Sequence, residues 1–364
     1  MTSLKQQSET GQTADGRSTQ SVTIHDVARA AGVTISTVSK ALNGQGKLRA
    51  ETRERVQEVA RSLGFRPNDL VQSLIRGSTS TIGFITSDSE GRFSIPLLSG
   101  INNVLMQEQI SVFLCDTSDD VQREQQHIDL LLAKRVDGFI VSGWKIDARP
   151  PLNVGNNRTP IVYACAQVKT PEALCLIPDD EQGGRIAVEH LLQLGRRSIA
   201  HITGLFQYES VQSRERGMRQ ALDAYGVPHS PNKVLSGPWG QRWGYGAARL
   251  LLDDPENRRH LDAIFCGSDQ IACGVIDALH ERGVRVPDDI AIVGFDNWDI
   301  FATESRPALT SVNVNLPDLG RQAAQRLLAM IKGGEEQERG IIRLPCSLVV
   351  RESSGASLEH LKEN

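Results

Sequence analysis

The sequence predicts an N-terminal all-α helix-turn-helix head with a short hinge helix, followed by an α/β body of two doubly wound parallel-sheet lobes. Three observations lead there. Between Thr23 and Asn43, apolar residues recur at helical steps on either side of a glycine. From Ile82 onward, short β-branched runs alternate with longer amphipathic segments. The charge of the chain changes sign between the two parts.

Residues 1–20 are polar and aperiodic and read as a disordered tail. In the stretch TIHDVARAAGVTISTVSKALN, Ile24, Val27, Ala28 and Ala31 fall three and four residues apart, Gly32-Val33-Thr34 interrupts, and Val38, Ala41 and Leu42 resume. Asp26 and Thr34 stand where helix caps belong, and Gly32 suits the positive φ of a sharp turn. Ile35, Ser36, Ser39 and Lys40 face away from the Val38/Leu42 side, a short face able to enter a major groove. A third helix is expected from Ala50 to Leu63, ending at Gly64. Gly44-Gln45-Gly46-Lys47 is not a phosphate loop, because Ala41 and Leu48 stand where that motif needs Gly and Ser/Thr. Past Pro67, Asn68 can cap a helix of barely two turns over Leu70, Val71 and Leu74, too short to be stable without docking. The head is thus expected over 21–66 and the hinge and linker over 67–79.

The body reads as strand, helix, strand throughout: IGFIT, SVFLCD, VDGFIVSG, PIVYACA, SIAHITG, KVLSG, DAIFCGS and DIAIVGFD, with helices near 97–107, 123–134, 183–194, 214–225, 244–252 and 271–282. That order gives buried parallel strands covered by helices. There are too many strands for one such sheet, and the pattern restarts near Pro178, so two lobes are expected within 80–355: one over 80–177 and 314–340, the other over 178–313 and 341–355, with 356–364 as a tail. A ligand belongs in the cleft between them, beyond the strand carboxyl ends. Ser87-Asp88, Asp116, Ser142-Gly143-Trp144, Ser268-Asp269 and Asp296-Asn297 fall there. Carboxylates, hydroxyls and an aromatic plane suit a polyhydroxylated ligand, although each such residue also serves as an ordinary cap.

From Val22 to Gly77 the chain carries nine Lys/Arg against five Asp/Glu, and from Ser78 onward 29 against 37. Only the head is basic, as a nucleic-acid reader on an acidic body is. No apolar run approaches a membrane span and no basic-then-apolar leader opens the chain, so the expectation is a cytoplasmic protein without a membrane partner. The six cysteines are scattered without a CxxC pair or zinc-like histidine spacing. They read as small buried hydrophobes, and no metal or cofactor is expected.

Four collinear blocks resemble the lactose-repressor/galactose-repressor (LacI/GalR) family: TIHDVARAAGVTISTVSKALN, RPNDLVQSL, PDDEQGGRIAVEHLLQLGRRSIAHITG and VPDDIAIVGFDNWDIFATESRPALTSV. The resemblance implies a type I periplasmic-binding-protein-like core and a homodimer on near-palindromic operator DNA. It implies base contacts from Ile35, Ser36 and Lys40, and phosphate contacts from Thr23, Thr37, Ser39 and Asn43 beside the Thr34 cap. It also implies a hinge helix capped by Asn68 that wedges Leu74 into the minor groove, where Val71 and Gln72 replace the commoner Ala and Arg. The effector, a sugar or sugar derivative, is expected on Ser87, Phe93, Arg214, Trp239, Asp269 and Asp296, with Trp144 and Ser268 as neighbours. Cys165 and Val314 stand where aspartate and glutamine are common, so two polar contacts are missing. No catalytic residues are expected: no GxGxxG, P-loop or GxSxG occurs. A sugar-binding solute receptor without enzymatic activity is the alternative, and the DNA-reading head argues against it.

Overall fold

A computed structural model describes residues 22–44, 46–65, 78–334 and 338–355. The chain divides into two compact units, one up to Gly77 and one from Ser78.

In the first unit, α1 (Ile24–Ala31), α2 (Ile35–Leu42) and α3 (Ala50–Ser62) close around Val27, Val38, Ala41 and Val56, all fully buried. Thr34 caps α2 by accepting from the Thr37 amide at 3.2 Å. Asp26 is not the cap of α1. That position is Thr23, whose amide and hydroxyl both donate to the Asp26 carboxylate three residues on, at 3.0 and 2.7 Å. Gly32 takes φ +66° and turns the chain between the two helices.

The second unit runs, in order, β1 (Thr81–Thr86), α4 (Ser94–Leu105), β2 (Ser111–Asp116), α5 (Val121–Ala133), β3 (Gly138–Ser142), β4 (Ala148–Arg149), β5 (Ile161–Ala164), β6 (Gln167–Val168) and β7 (Leu174–Pro178). It continues through α6 (Asp180–Gln193), β8 (Ile199–Thr203), α7 (Glu209–Ala224), β9 (Val234–Ser236), α8 (Gln241–Asp253), α9 (Pro255–His260), β10 (Ala263–Cys266), α10 (Asp269–Glu281) and β11 (Ala291–Phe295). It closes with α11 (Asp299–Ala302), β12 (Thr310–Asn313), α12 (Leu316–Ile331), β13 (Gly340–Leu344) and β14 (Ser347–Val349).

Two six-stranded sheets result, ordered β13-β7-β5-β3-β1-β2 and β14-β12-β11-β10-β8-β9. All pairings are parallel except β14 on β12. The chain passes between lobes three times: from Pro178 to Asp180, from Asn313 to Leu316, and from Leu344 to Ser347. The last crossing corrects the expected boundary at 340. Gly340–Leu344 pairs with Leu174–Pro178 and completes the first sheet, and only β14 belongs to the second. The helices begin two to five residues earlier than periodicity suggested, because their first turns hold polar residues. Asp120, Asp179 and Ser268 cap α5, α6 and α10 through their side chains.

Three helix pairs meet through glycines on both partners. A Cβ on Gly100 (α4) would lie 1.8 Å from Pro317 O, and one on Gly320 (α12) 2.1 Å from Leu97 O. Gly184 (α6) and Gly217 (α7) stand in the same relation to Arg214 O and Glu181 O, at 2.2 and 1.9 Å. Gly244 (α8) and Gly274 (α10) face Ile271 O and Gln241 O, at 2.1 and 1.9 Å. No other residue fits such backbone-to-backbone approach. Of the cysteines, 165, 175, 266 and 346 are buried, while Cys115 and Cys273 are partly exposed. No helix among the described residues is long and apolar enough to cross a membrane.

Candidate functional site: a DNA-reading helix and an effector cleft

The outward face of α2 carries Ile35, 41% exposed, with Ser36 and Lys40, both exposed. Packing against the core therefore does not account for Ile35. Thr37 and Thr34 share a hydroxyl contact at 2.9 Å, and Asn43 Nδ2 donates to Ser39 Oγ at 3.3 Å. These pairs fix the polar side chains along one edge of the helix. Asn68 and Leu74 lie outside the described residues.

A cleft of about 430 Å³ opens between the two lobes of the second unit. Ser87, Phe93 and Trp144 line it from the first lobe and Arg214, Trp239 and Asp296 from the second. Cys165 and Val314 also line it, so the wall is less polar at those two positions.

Arg214 is held from several sides. Its Nε donates to Asp180 Oδ1 at 2.7 Å, Nη1 donates to Gly267 O at 2.6 Å, and Nη2 lies 3.8 Å from Asp296 Oδ1. Its guanidinium sits 3.7 Å from the centroid of the Phe295 ring. A planar cation fixed on an aromatic face presents its donors in one orientation. Asp180 is almost wholly buried, and burial raises its pKa against the pull of the Arg214 charge.

Asp296 follows β11 with φ +98°, and Asn297 follows it with φ +50°, so two non-glycine residues stand in the left-handed half of backbone space. What holds them there is Asp269. Its carboxylate accepts from the Trp298 amide at 2.6 Å and from Ser311 Oγ at 2.5 Å, while Ser311 Oγ accepts from the Asn297 amide at 3.0 Å. Burial pushes the Asp269 pKa up to about 7, against the lowering effect of these two hydrogen bonds.

Asp269 and Ser268, expected in the cleft wall, lie behind it. Both are fully buried, absent from the cleft lining, and spent on local structure, Ser268 as the cap accepting from the Ile271 amide at 3.3 Å. Asp88 likewise accepts from the Phe93 and Ser94 amides at 2.7 and 2.8 Å, opening α4. Asp116 takes Ser118 and Ser89.

Three wall residues escaped the sequence reading. Tyr208 stands edge-on to Trp144, ring centroids 5.5 Å apart, and stacks with Trp239 at 6.4 Å, joining the two tryptophans into one aromatic wall. Asp180 supplies the buried acceptor for Arg214. Arg92 ion-pairs with Asp296, donates to Gln270 Oε1 at 3.3 Å, and lies over the rings of Phe93 and Trp298 at 4.9 and 5.4 Å. Burial, then the charge of Arg214, lowers the Arg92 pKa to about 10, which leaves it charged at neutral pH. None of the three sits in a periodic pattern, and only the place of Asp180 next to Pro178, where the strand–helix pattern restarts, was a usable signal.

A helix-turn-helix unit joined in one chain to a two-lobed binding body defines a ligand-controlled transcription regulator. Comparison with known proteins agrees. Residues 23–68 match the model of the bacterial regulatory proteins, lacI family, and residues 188–354 match the periplasmic binding protein-like domain. Catabolite control protein A of Priestia megaterium is 31% identical over 334 residues, covering 92% of this chain and 99% of that protein. The Lac repressor dimer bound to operator and the anti-inducer ONPF aligns with TM-score 0.75 and 28% identity, covering 93% of this chain and all of that one. A complex of the transcriptional regulator CelR with cellobiose aligns with TM-score 0.64 and 27% identity, covering 91% and 99%. The chain belongs to the LacI family of DNA-binding transcription regulators, a family that acts by binding and not by catalysis.

Proposed function

We propose that this chain is a cytoplasmic, homodimeric repressor of near-palindromic operator DNA whose affinity for that DNA is set by a sugar or sugar derivative bound in the cleft. The observation that carries the effector class is the fixed Arg214 guanidinium, with Asp296 beside it and the Trp239 ring of the Trp144-Tyr208-Trp239 wall 5.9 Å from it. Paired donors and acceptors match vicinal hydroxyls, and an aromatic face matches the C–H face of a pyranose ring. Ser87, Phe93, Trp144, Arg214, Trp239 and Asp296 are the contacts in this reading, with Arg92 and Tyr208 added. The cellobiose complex of a similar regulator supports the same ligand class.

On DNA, α2 of each protomer enters the major groove, Lys40 and Ser36 reading base edges, Ile35 offering apolar contact, and Thr23, Thr37, Ser39 and Asn43 meeting phosphates. In this reading Leu74 acts as the minor-groove wedge, with Asn68 in the same segment; both lie outside the described residues. Twofold symmetry of the protein demands twofold symmetry of the site. Effector and operator are linked reciprocally, a coupling of about 1–3 kcal/mol. A thermal-shift screen of neutral sugars and sugar phosphates tests the class, since a ligand that binds only the folded protein raises the midpoint. A hit that also changes operator affinity supports the proposal. A panel in which only non-carbohydrate ligands shift the midpoint overturns the sugar assignment.

A further inference from the structure

Arg92 belongs to the first lobe, in the loop between β1 and α4, yet its polar partners lie in the second. Its guanidinium pairs with the Asp296 carboxylate after β11 and donates to Gln270 in the first turn of α10. It lies over the rings of Phe93 of its own lobe and Trp298 of the other. The two charged side chains are 13% and 5% exposed, so the pair is shielded from solvent and salt. Arg92 also lines the cleft, and its Nε has no hydrogen-bond partner among the described residues. Every group in this bridge belongs to the chain itself.

We propose that Arg92 is a latch between the lobes. It ties Asp296 and Gln270 to the first lobe without help from a ligand, and an effector that uses Asp296 does so by sharing or displacing that guanidinium. A buried charge is stable only while paired. A ligand that draws Asp296 away must therefore give Arg92 a substitute acceptor. Arg92 thereby becomes a determinant of which ligands the cleft admits, not only of how the lobes sit. The proposal rests on the cleft being the effector site. Its test needs no effector, so a failed sugar screen and a failed latch are separate results.

The experiment compares the full-length protein with Arg92→Met and Gln270→Leu, without added ligand, by hydrogen exchange, tryptophan emission and small-angle scattering. For Arg92→Met, exchange at Asn297 and Trp298 should accelerate by about tenfold or more, the factor for each 1.4 kcal/mol of lost stabilisation. Tryptophan emission should shift to the red as Trp298 loses its cover, and the scattering curve should move to a larger radius of gyration. Gln270→Leu should give smaller changes of the same sign. Parent-like exchange and scattering in Arg92→Met overturn the latch. If Arg92→Met loosens the whole unit, including buried β10, then Gln270→Leu decides: opening confined to the cleft supports the latch, and no change overturns it.

Discussion

Arg214 and Asp180 form a buried pair across the α6/α7 contact, Nε to Oδ1 at 2.7 Å, with side chains 9% and 2% exposed. The pair exists because Gly184 and Gly217 let those helices touch backbone to backbone. Asp180→Ala leaves the guanidinium without its Nε acceptor. Removing one partner of a buried pair costs about 3–5 kcal/mol, so the urea midpoint should fall at unchanged m-value. Asp180→Asn, which keeps an acceptor oxygen, should lose less. Equal midpoints for parent and Asp180→Ala would show that Arg214 finds support elsewhere.

Asp269 predicts a pH dependence of defined sign. Its carboxyl titrates at about 7 in the folded protein against 3.8 ordinarily, because burial disfavours the charged form. A raised carboxyl stabilises the fold below the unfolded value, and that contribution is lost as pH rises through about 7. Asp269→Asn should therefore remove a decline in stability between about pH 4 and pH 7 that the parent shows. The check is the difference in unfolding free energy between the two proteins at several pH values. A difference that stays flat across this window contradicts the assignment. Surface acids with lowered values, such as Asp289 and Asp318, act below pH 4 and cancel in the comparison.

Gly204→Ala should weaken effector binding through Trp239. A Cβ at position 204 would stand 2.3 Å from the Trp239 ring, which has to move and so disturbs the aromatic wall it shares with Tyr208. Overpacking of this kind costs about 1–3 kcal/mol. Effector affinity measured by calorimetry should fall while operator affinity without effector holds. Unchanged effector affinity would remove Trp239 from the wall of the binding site.

Lys40→Ala should weaken operator binding at particular base positions, by about 1–3 kcal/mol there. The alternative is a phosphate contact, which predicts uniform loss over all sequences and a shallower salt dependence. Binding curves for a set of single-base operator variants at two salt concentrations separate the two.

The helix-turn-helix was legible because its signals are local: Thr34 caps within three residues, Gly32 turns, and Val27, Val38 and Ala41 follow helical spacing. The two lobes were legible from the alternation of β-branched runs with amphipathic ones. Leu174–Pro178 and Gly340–Leu344 went unread although other strands are as short: LCLIP holds a single β-branched residue, and Gly340–Leu344 is an edge strand whose partner lies far away in sequence. Within the site, spacing marks which residues end a strand but not which way they point. Ser268 and Asp269 turned inward to cap and brace, whereas Asp296 stayed in the wall. Arg92 was invisible for a related reason, since its role depends on a carboxylate 204 residues away.

The reciprocal glycine contacts of α4 with α12, α6 with α7 and α8 with α10 also decide where mechanical compliance resides. Helices touching main chain to main chain have no long side chains at the contact to slide or change rotamer. Each lobe is thereby stiff, and strain imposed by an occupant of the cleft concentrates in the short connections at 178–180, 313–316 and 344–347. Pro178, Val314 and Leu316 of those connections line the cleft itself. An occupant of the cleft would thus meet two of these three connections directly, and substitutions there should alter the response to effector more than its affinity.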